Sequence, residues 1–266
     1  RTVDDFLLKS DDATALAFGT DASGNLYTVG RAADRVSTHW IVRKSSDQGT
    51  SWITVDDFVF PNGNYSEAIG FVTDSRANIY ITGRGFDGKN YHWITRVSRD
   101  SGLTWQTADD FLYSKSADSF GLAVGSDNLG NIYSTGFGSN AGKVHWVTRR
   151  SADQGKTWNT VDDFMPQNGK RSEGHGFGKD LLGNIYSAGY FCDGPDEACH
   201  WAIRKSSDQG NSWTLIDDFI YPEGNDTGAN AIGIDSYGNL YVAGYGKDSE
   251  GFRWLTRRLS LKSLLH

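Results

Sequence analysis

Short runs of apolar and aromatic residues, alternating with polar ones and broken by Gly, Asn and Asp, recur along the whole chain. In the first stretch they are ALAFGTD (15–21), NLYTVGR (25–31), THWIVRK (38–44) and SWITVDD (51–57). Short alternating runs rich in β-branched and aromatic residues, with turn residues between them, predict four β-strands. The pattern then returns. Its third run carries a tryptophan at Trp40, Trp93, Trp146, Trp201 and Trp254, at spacings of 53, 53, 55 and 53 residues. A period of this length predicts repeated supersecondary units. Five units of four antiparallel strands predict an all-β fold, a five-bladed β-propeller forming a single domain over residues 1–266. The chain opens on a lone fourth run, Thr2-Val3-Asp4-Asp5-Phe6, and its last repeat stops at a third run, FRWLTRR (252–258). Pairing the two would remove both open edges, so residues 1–6 are expected to complete the fifth blade. The final LSLKSLLH has no counterpart in the other repeats.

Between third and fourth runs stand SSDQGTSW (45–52), SRDSGLTW (98–105), SADQGKTW (151–158) and SSDQGNSW (206–213). These resemble the Asp-box (BNR-like) repeat, S-x-D-x-G-x-[S/T]-W, of sialidases and other Asp-box propellers. The resemblance implies a turn joining third and fourth strands, away from the ligand face. Asp47, Asp100, Asp153 and Asp208 then have a structural role. The chemistry of the turn agrees: the Asp carboxylate can accept backbone N–H groups, Gly49 can take a positive φ, and Trp52 can cover the sheet. The sialidase branch would also imply six blades and an Arg-Ile-Pro phrase near the start, which this sequence lacks.

Charge changes the picture little. The net charge is −7, and 19 of the 33 acidic residues sit in the repeated DDF, SxDxG and pre-turn Asp positions, so most of the acidity reads as scaffold. No basic run or Gly-rich phosphate loop is present, which argues against a nucleic-acid partner. No apolar stretch approaches the ~18 residues of a membrane span, and no leader pattern stands at the start. No cofactor motif is found, and a monomer is expected. His39, His92, His145 and His200 precede the repeated Trp, with Arg253 in the fifth copy. Equivalent third-strand positions lie too far apart to share a metal ion, so no metal site is expected. A hairpin about the Asp box would set His39 opposite Asp56–Asp57 as a cross-strand pair. Cys192 and Cys199 bracket the longer loop of the fourth repeat and are expected to form a disulfide. That implies an oxidising compartment, hence a secreted or periplasmic protein.

What the copies do not share is where a site can sit. At the end of the second runs stand Arg31, Arg84, Phe137, Tyr190 and Tyr245; at the start of the first runs stand Thr14, Glu67, Phe120, Glu173 and Gly228. Two residues before the latter come Asp12, Tyr65, Asp118, Arg171 and Asp226; two after come Leu16, Ile69, Leu122, His175 and Asn230. These positions are expected to circle a channel mouth, with Arg31, Arg84, Glu67, Glu173, His175, Tyr190, Asn230 and Tyr245 as ligand-binding candidates. Arginine forks suit carboxylate or phosphate, and aromatic residues with Asp or Asn suit sugars. Three readings follow. The first expectation is a non-enzymatic binding module for a glycan or protein partner, with no catalytic residue. The alternative is a glycoside hydrolase with Glu67 and Glu173 as its carboxylate pair. The third is an adhesion or assembly scaffold.

Overall fold

A computed structural model of the chain describes residues 1–9, 12–194, 198–222 and 224–260. The tail beyond 260, noted above as unmatched, lies outside the described residues. Among these residues the regular elements are strands, nineteen of them in sheets of 8 and 11. The first repeat gives β1 (Ala13–Thr20), β2 (Leu26–Ala33), β3 (Thr38–Ser45) and β4 (Ile53–Phe58). The second gives β5 (Tyr65–Thr73), β6 (Ile79–Phe86), β7 (Tyr91–Ser98) and β8 (Gln106–Phe111). Then follow β9 (Ser119–Ser126), β10 (Ile132–Asn140), β11 (Lys143–Ser151) and β12 (Asn159–Phe164). The fourth repeat gives β13 (Arg171–Lys179), β14 (Ile185–Asp193), β15 (Ala198–Ser206) and β16 (Thr214–Phe219). The last gives β17 (Asp226–Ile234), β18 (Asn239–Asp248) and β19 (Gly251–Ser260).

The chain divides into two compact units. Unit 1 holds residues 1–126, 130–132 and 151–158; unit 2 holds 127–129, 133–150 and 159–266. In unit 1 the strand order is β1-β2-β3-β5-β6-β7-β8, with β4 on the far side of β3. Each repeat is an antiparallel meander, and one parallel bridge, Thr38 to Tyr65, ties a third strand to the next first strand. Unit 2 repeats this with Val144 to Arg171 and Cys199 to Asp226. Those single bridges merge the repeats into larger sheets, so the separate four-stranded blades expected from sequence are met only in part.

The repeated tryptophan explains itself through its partner. Trp40, Trp93, Trp146 and Trp201 are 0% exposed, each directly opposite the Phe that ends the fourth strand: Phe58, Phe111, Phe164 and Phe219. Burying a side chain of this size contributes roughly 4–6 kcal/mol as an upper bound. Trp254, whose repeat ends at β19, is 87% exposed. The strand expected at residues 2–6 does not form, and residues 1–7 are irregular. Side chains hold this segment in place of a backbone ladder: Arg43 bonds Asp4 through Nε and Nη2 and lies over the Phe6 ring.

That contact belongs to a series. In four of the five DDF phrases the first Asp pairs with the third-strand Arg of the following repeat: Asp4 with Arg43, Asp56 with Arg96, Asp162 with Arg204, Asp217 with Arg257. The guanidinium then stacks on the Phe that closes the same phrase, at 4.5, 4.3, 4.3 and 3.9 Å from the ring centre. The SxDxG turns have the expected interior. Asp47 accepts the N–H of Thr50 and Ser51 and the hydroxyls of Ser45 and Ser51, while Ser45 Oγ accepts the N–H of Gly49, at φ 84°. Asp100, Asp153 and Asp208 repeat this arrangement. The turns also dock on their neighbours: Tyr27 Oη donates to the Ser101 carbonyl and Tyr133 Oη to the Gln209 carbonyl.

Candidate functional site

The residues that differ between repeats are brought into register by the first hairpin of each. Thr14 lies opposite Arg31, Glu67 opposite Arg84, Glu173 opposite Tyr190, and Gly228 opposite Tyr245. Two residues later each of these first strands carries a bulge that leaves one residue unpaired: Leu16, Ile69, His175 and Asn230. A bulge turns its side chain out of the ladder's alternation. In unit 2 that device sets His175 beside Glu173.

Glu173 is almost fully buried on β13 and is shared by three groups. Arg171 Nε donates to Oε1 at 2.6 Å, and His175 Nε2 lies 3.1 Å from Oε2. The phenol of Tyr190 on β14 forms the third contact, and His175 stacks on the Tyr190 ring at 5.5 Å. Burial pushes the Glu173 carboxyl up, but the His175 hydrogen bond and the Arg171 charge outweigh it and hold it below the usual range. Tyr190 is pushed the other way, first by burial and then by the Glu173 charge, so it keeps its proton at neutral pH. Because an ionised carboxylate only accepts, His175 donates from Nε2, and in the neutral ring Nδ1 then carries a lone pair.

Tyr190 and Arg171 open onto a cleft of ≈ 460 Å³ that also bears Lys170, Asp226, Tyr245 and Lys247. Gly228 lets Tyr245 fold over β17, since a Cβ there would stand 2.9 Å from the ring. The phenol reaches Asp226 Oδ1 at 3.2 Å. The Cys192–Cys199 disulfide forms and lines the same cleft, Cys192 opposite its strand partner Arg171 and Cys199 opposite Asp226.

In unit 1 the matching glutamate has different company. Glu67 takes Arg31 on Oε1 at 3.3 Å and Arg84 on Oε2 at 2.6 Å, and both arginines also reach the Tyr65 hydroxyl. Arg84 lies over the rings of Tyr65, Tyr91 and Phe120.

Of the candidates, Arg31, Glu67 and Arg84 thus gather in unit 1, and Glu173, His175 and Tyr190 gather in unit 2, where Tyr190 shares its cleft with Tyr245. Asn230 is exposed at its own bulge on β17. Arg171, Tyr65 and Asp226, expected to circle the mouth but not among the ligand-binding candidates, sit two residues before the glutamate position, on the same face of the strand. The cations Lys170 and Lys247 carried no signal. The four repeated histidines are taken by the second Asp of DDF: Asp57, Asp110, Asp163 and Asp218, at 2.6, 2.6, 2.8 and 2.6 Å. Arg253 pairs with Asp248 and Glu250 in their place.

The chain matches no protein-family model and no curated protein. Solved structures do match. A protein of unknown function from Dyadobacter fermentans aligns with TM-score 0.64 and 12% identity over 97% of this chain and 81% of its own. A PL25 ulvan lyase aligns with TM-score 0.60 and 14% identity over 93% of this chain and 66% of its own. The GH93 α-L-arabinofuranosidase of Fusarium graminearum, in complex with arabinobiose, aligns at 0.52 and 12% over 92% of each. At such identities the likeness is one of fold: all-β and propeller-like. The two named neighbours are carbohydrate-cleaving enzymes. The expectation of a non-enzymatic binding module is therefore corrected, and the comparisons favour the enzymatic alternative.

Proposed function

We propose that the chain is an exported enzyme that cleaves an anionic polysaccharide, built as a five-bladed Asp-box propeller over residues 1–266. The observation that carries this reading is a buried carboxylate, Glu173, shared by Arg171, His175 and Tyr190, of which Arg171 and Tyr190 line a cleft that also bears Lys170 and Lys247. The three cations would neutralise substrate carboxylates or sulfates. His175 Nδ1 is the base and the Tyr190 phenol the acid, with Glu173 fixing both. Those roles fit β-elimination at a uronate. His175 takes the proton on the carbon next to the carboxylate, the C–O bond to the leaving sugar breaks, and Tyr190 protonates the departing oxygen. A C=C bond is left and no water is consumed. Hydrolysis by a Glu67/Glu173 pair fits less well, since one carboxyl must carry a proton. Glu67 has an arginine on each oxygen, and Glu173 is held ionised.

The test is depolymerisation of ulvan and polygalacturonate, followed by ultraviolet absorbance of the unsaturated product and by reducing ends. Tyr190→Phe and His175→Ala should each lose on the order of 10²-fold or more in rate. New reducing ends without unsaturated product would return the reaction to hydrolysis. No cleavage of either substrate would overturn the reading.

A further inference from the structure

We infer that unit 1 carries a second carbohydrate subsite, an aromatic cleft that holds a stretch of anionic polysaccharide with Arg31 and Arg35 as its charge contacts. The cleft measures ≈ 340 Å³, is walled by Tyr65, Phe86 and Tyr91, and is rimmed by Arg35 and Asn64. Its volume falls in the range of small-ligand sites. The rings are fixed against one another, Tyr65 edge-on to Tyr91 at 5.7 Å and Phe86 tilted on Tyr91 at 5.0 Å. Arg84 supports them from behind, its charge spent on Glu67 and its plane under Tyr65 and Tyr91. A wall locked in this way loses little entropy on binding.

The charge is arranged differently. Arg31 uses Nη1 for the Tyr65 hydroxyl and Glu67, and its side chain remains 41% exposed. Arg35 is exposed at the cleft rim. The acid next to it, Asp34, is already occupied by Lys9 and by the N–H groups of Val36 and Ser37. Arg35 thus stands at the rim of flat apolar surfaces, and Arg31 lies just outside the cleft lining, bonded to the Tyr65 hydroxyl. Packing accounts for Arg84, but leaves Arg35 and the open cleft unexplained. Arginine forks onto carboxylate or sulfate, and the ring faces take the C–H face of a sugar. Because the whole chain carries a net charge of −7, attraction depends on these local cations and weakens with salt.

This inference does not need cleavage to occur, and its test is run on the Tyr190→Phe background so that turnover cannot interfere. Affinity electrophoresis with polygalacturonate, heparin and neutral arabinan reads binding directly. Retardation by both anionic polymers and none by arabinan is expected. Adding Arg31→Ala and Arg35→Ala should raise the apparent Kd at least tenfold, while adding Lys170→Ala and Lys247→Ala leaves a clear retardation. Arg35→Glu alone, at an exposed position, gives the same direction of change if the double variant folds poorly. Unchanged binding in the Arg31/Arg35 variants, or equal retardation by arabinan, would overturn the subsite. Failure of the elimination chemistry would leave this readout untouched.

Discussion

Removing Arg96 isolates what the joint between repeats contributes. Arg96 and Asp56 meet through two parallel bonds of 2.7 Å, Nε to Oδ2 and Nη2 to Oδ1, with side chains 9% and 7% exposed. Arg96→Met keeps the stem over the Phe58 ring but leaves Asp56 buried and unpaired. Breaking one partner of a buried pair costs roughly 3–5 kcal/mol, largely the penalty of the orphaned charge. For a chain of this size that lowers Tm by on the order of 10 °C. The same joint at Arg43 and Asp4 is wetter, at 15% and 21% exposed. There water screens the loss, and Arg43→Met should cost about 1 kcal/mol. Replacing both partners, Arg96→Met with Asp56→Leu, should recover most of the stability because no buried charge is stranded. Urea and thermal melts followed by tryptophan fluorescence read all three. The reasoning fails if Arg96→Met costs no more than Arg43→Met, or if the double variant is no more stable than the single.

Three further outcomes follow from the described contacts. Gly174→Ala places a Cβ 2.2 Å from Trp146 Nε1 and 2.3 Å from Thr135 Oγ1, so it should destabilise by about 3 kcal/mol in the same melts. Cys192→Ser/Cys199→Ser should cost about 2–3 kcal/mol on the loop-closure model and slow the proposed polysaccharide cleavage more than the fall in Tm accounts for, since the bridge lines the cleft. Asp47, Asp153 and Asp208 are held at about 2 by the hydroxyls of Ser51, Thr157 and Ser212 and by turn N–H groups. A depressed carboxyl stabilises above its unfolded pKa of about 3.9, and that contribution is lost as pH falls through the folded value. Acid melts should therefore hold Tm down to about pH 4 and lose it between about pH 4 and 2. A loss centred near neutrality would contradict this.

The strands were legible because their alternation is local. Observed boundaries in the first repeat lie within two residues of the runs read from the sequence. The His–Asp pairs were legible for the same reason, since a hairpin about a recognisable turn fixes which residues face. The Arg–Asp joints were not, although both partners stand in the repeated phrase. Each Asp reaches forward into the next repeat, and no spacing within a repeat reveals that. The candidate site was half legible. Variation between copies located Glu67 and Glu173, but their roles diverge through their neighbours: Arg84 stands opposite one and Tyr190 opposite the other, and only Glu173 has Arg171 and His175 on its own strand. The bulge that brings His175 to Glu173 leaves no mark in the residues. Nor did the sequence reveal that Thr2–Phe6, with the letters of a fourth strand, would be held by Arg43 and not by a ladder.

The joint has a direction. In each instance the acid is supplied by the earlier repeat and the base by the later one. At these four joints the later repeat therefore offers the same donor and the earlier one the same acceptor. A whole copy can be duplicated or lost without creating an unmatched charge, because the neighbours on either side still fit. Lineages that gained or shed copies would have had no interface to reinvent, and the hairpins between joints were free to diverge. The uniformity of the girder and the individuality of Glu67, Glu173 and their partners are then two results of one process of copying.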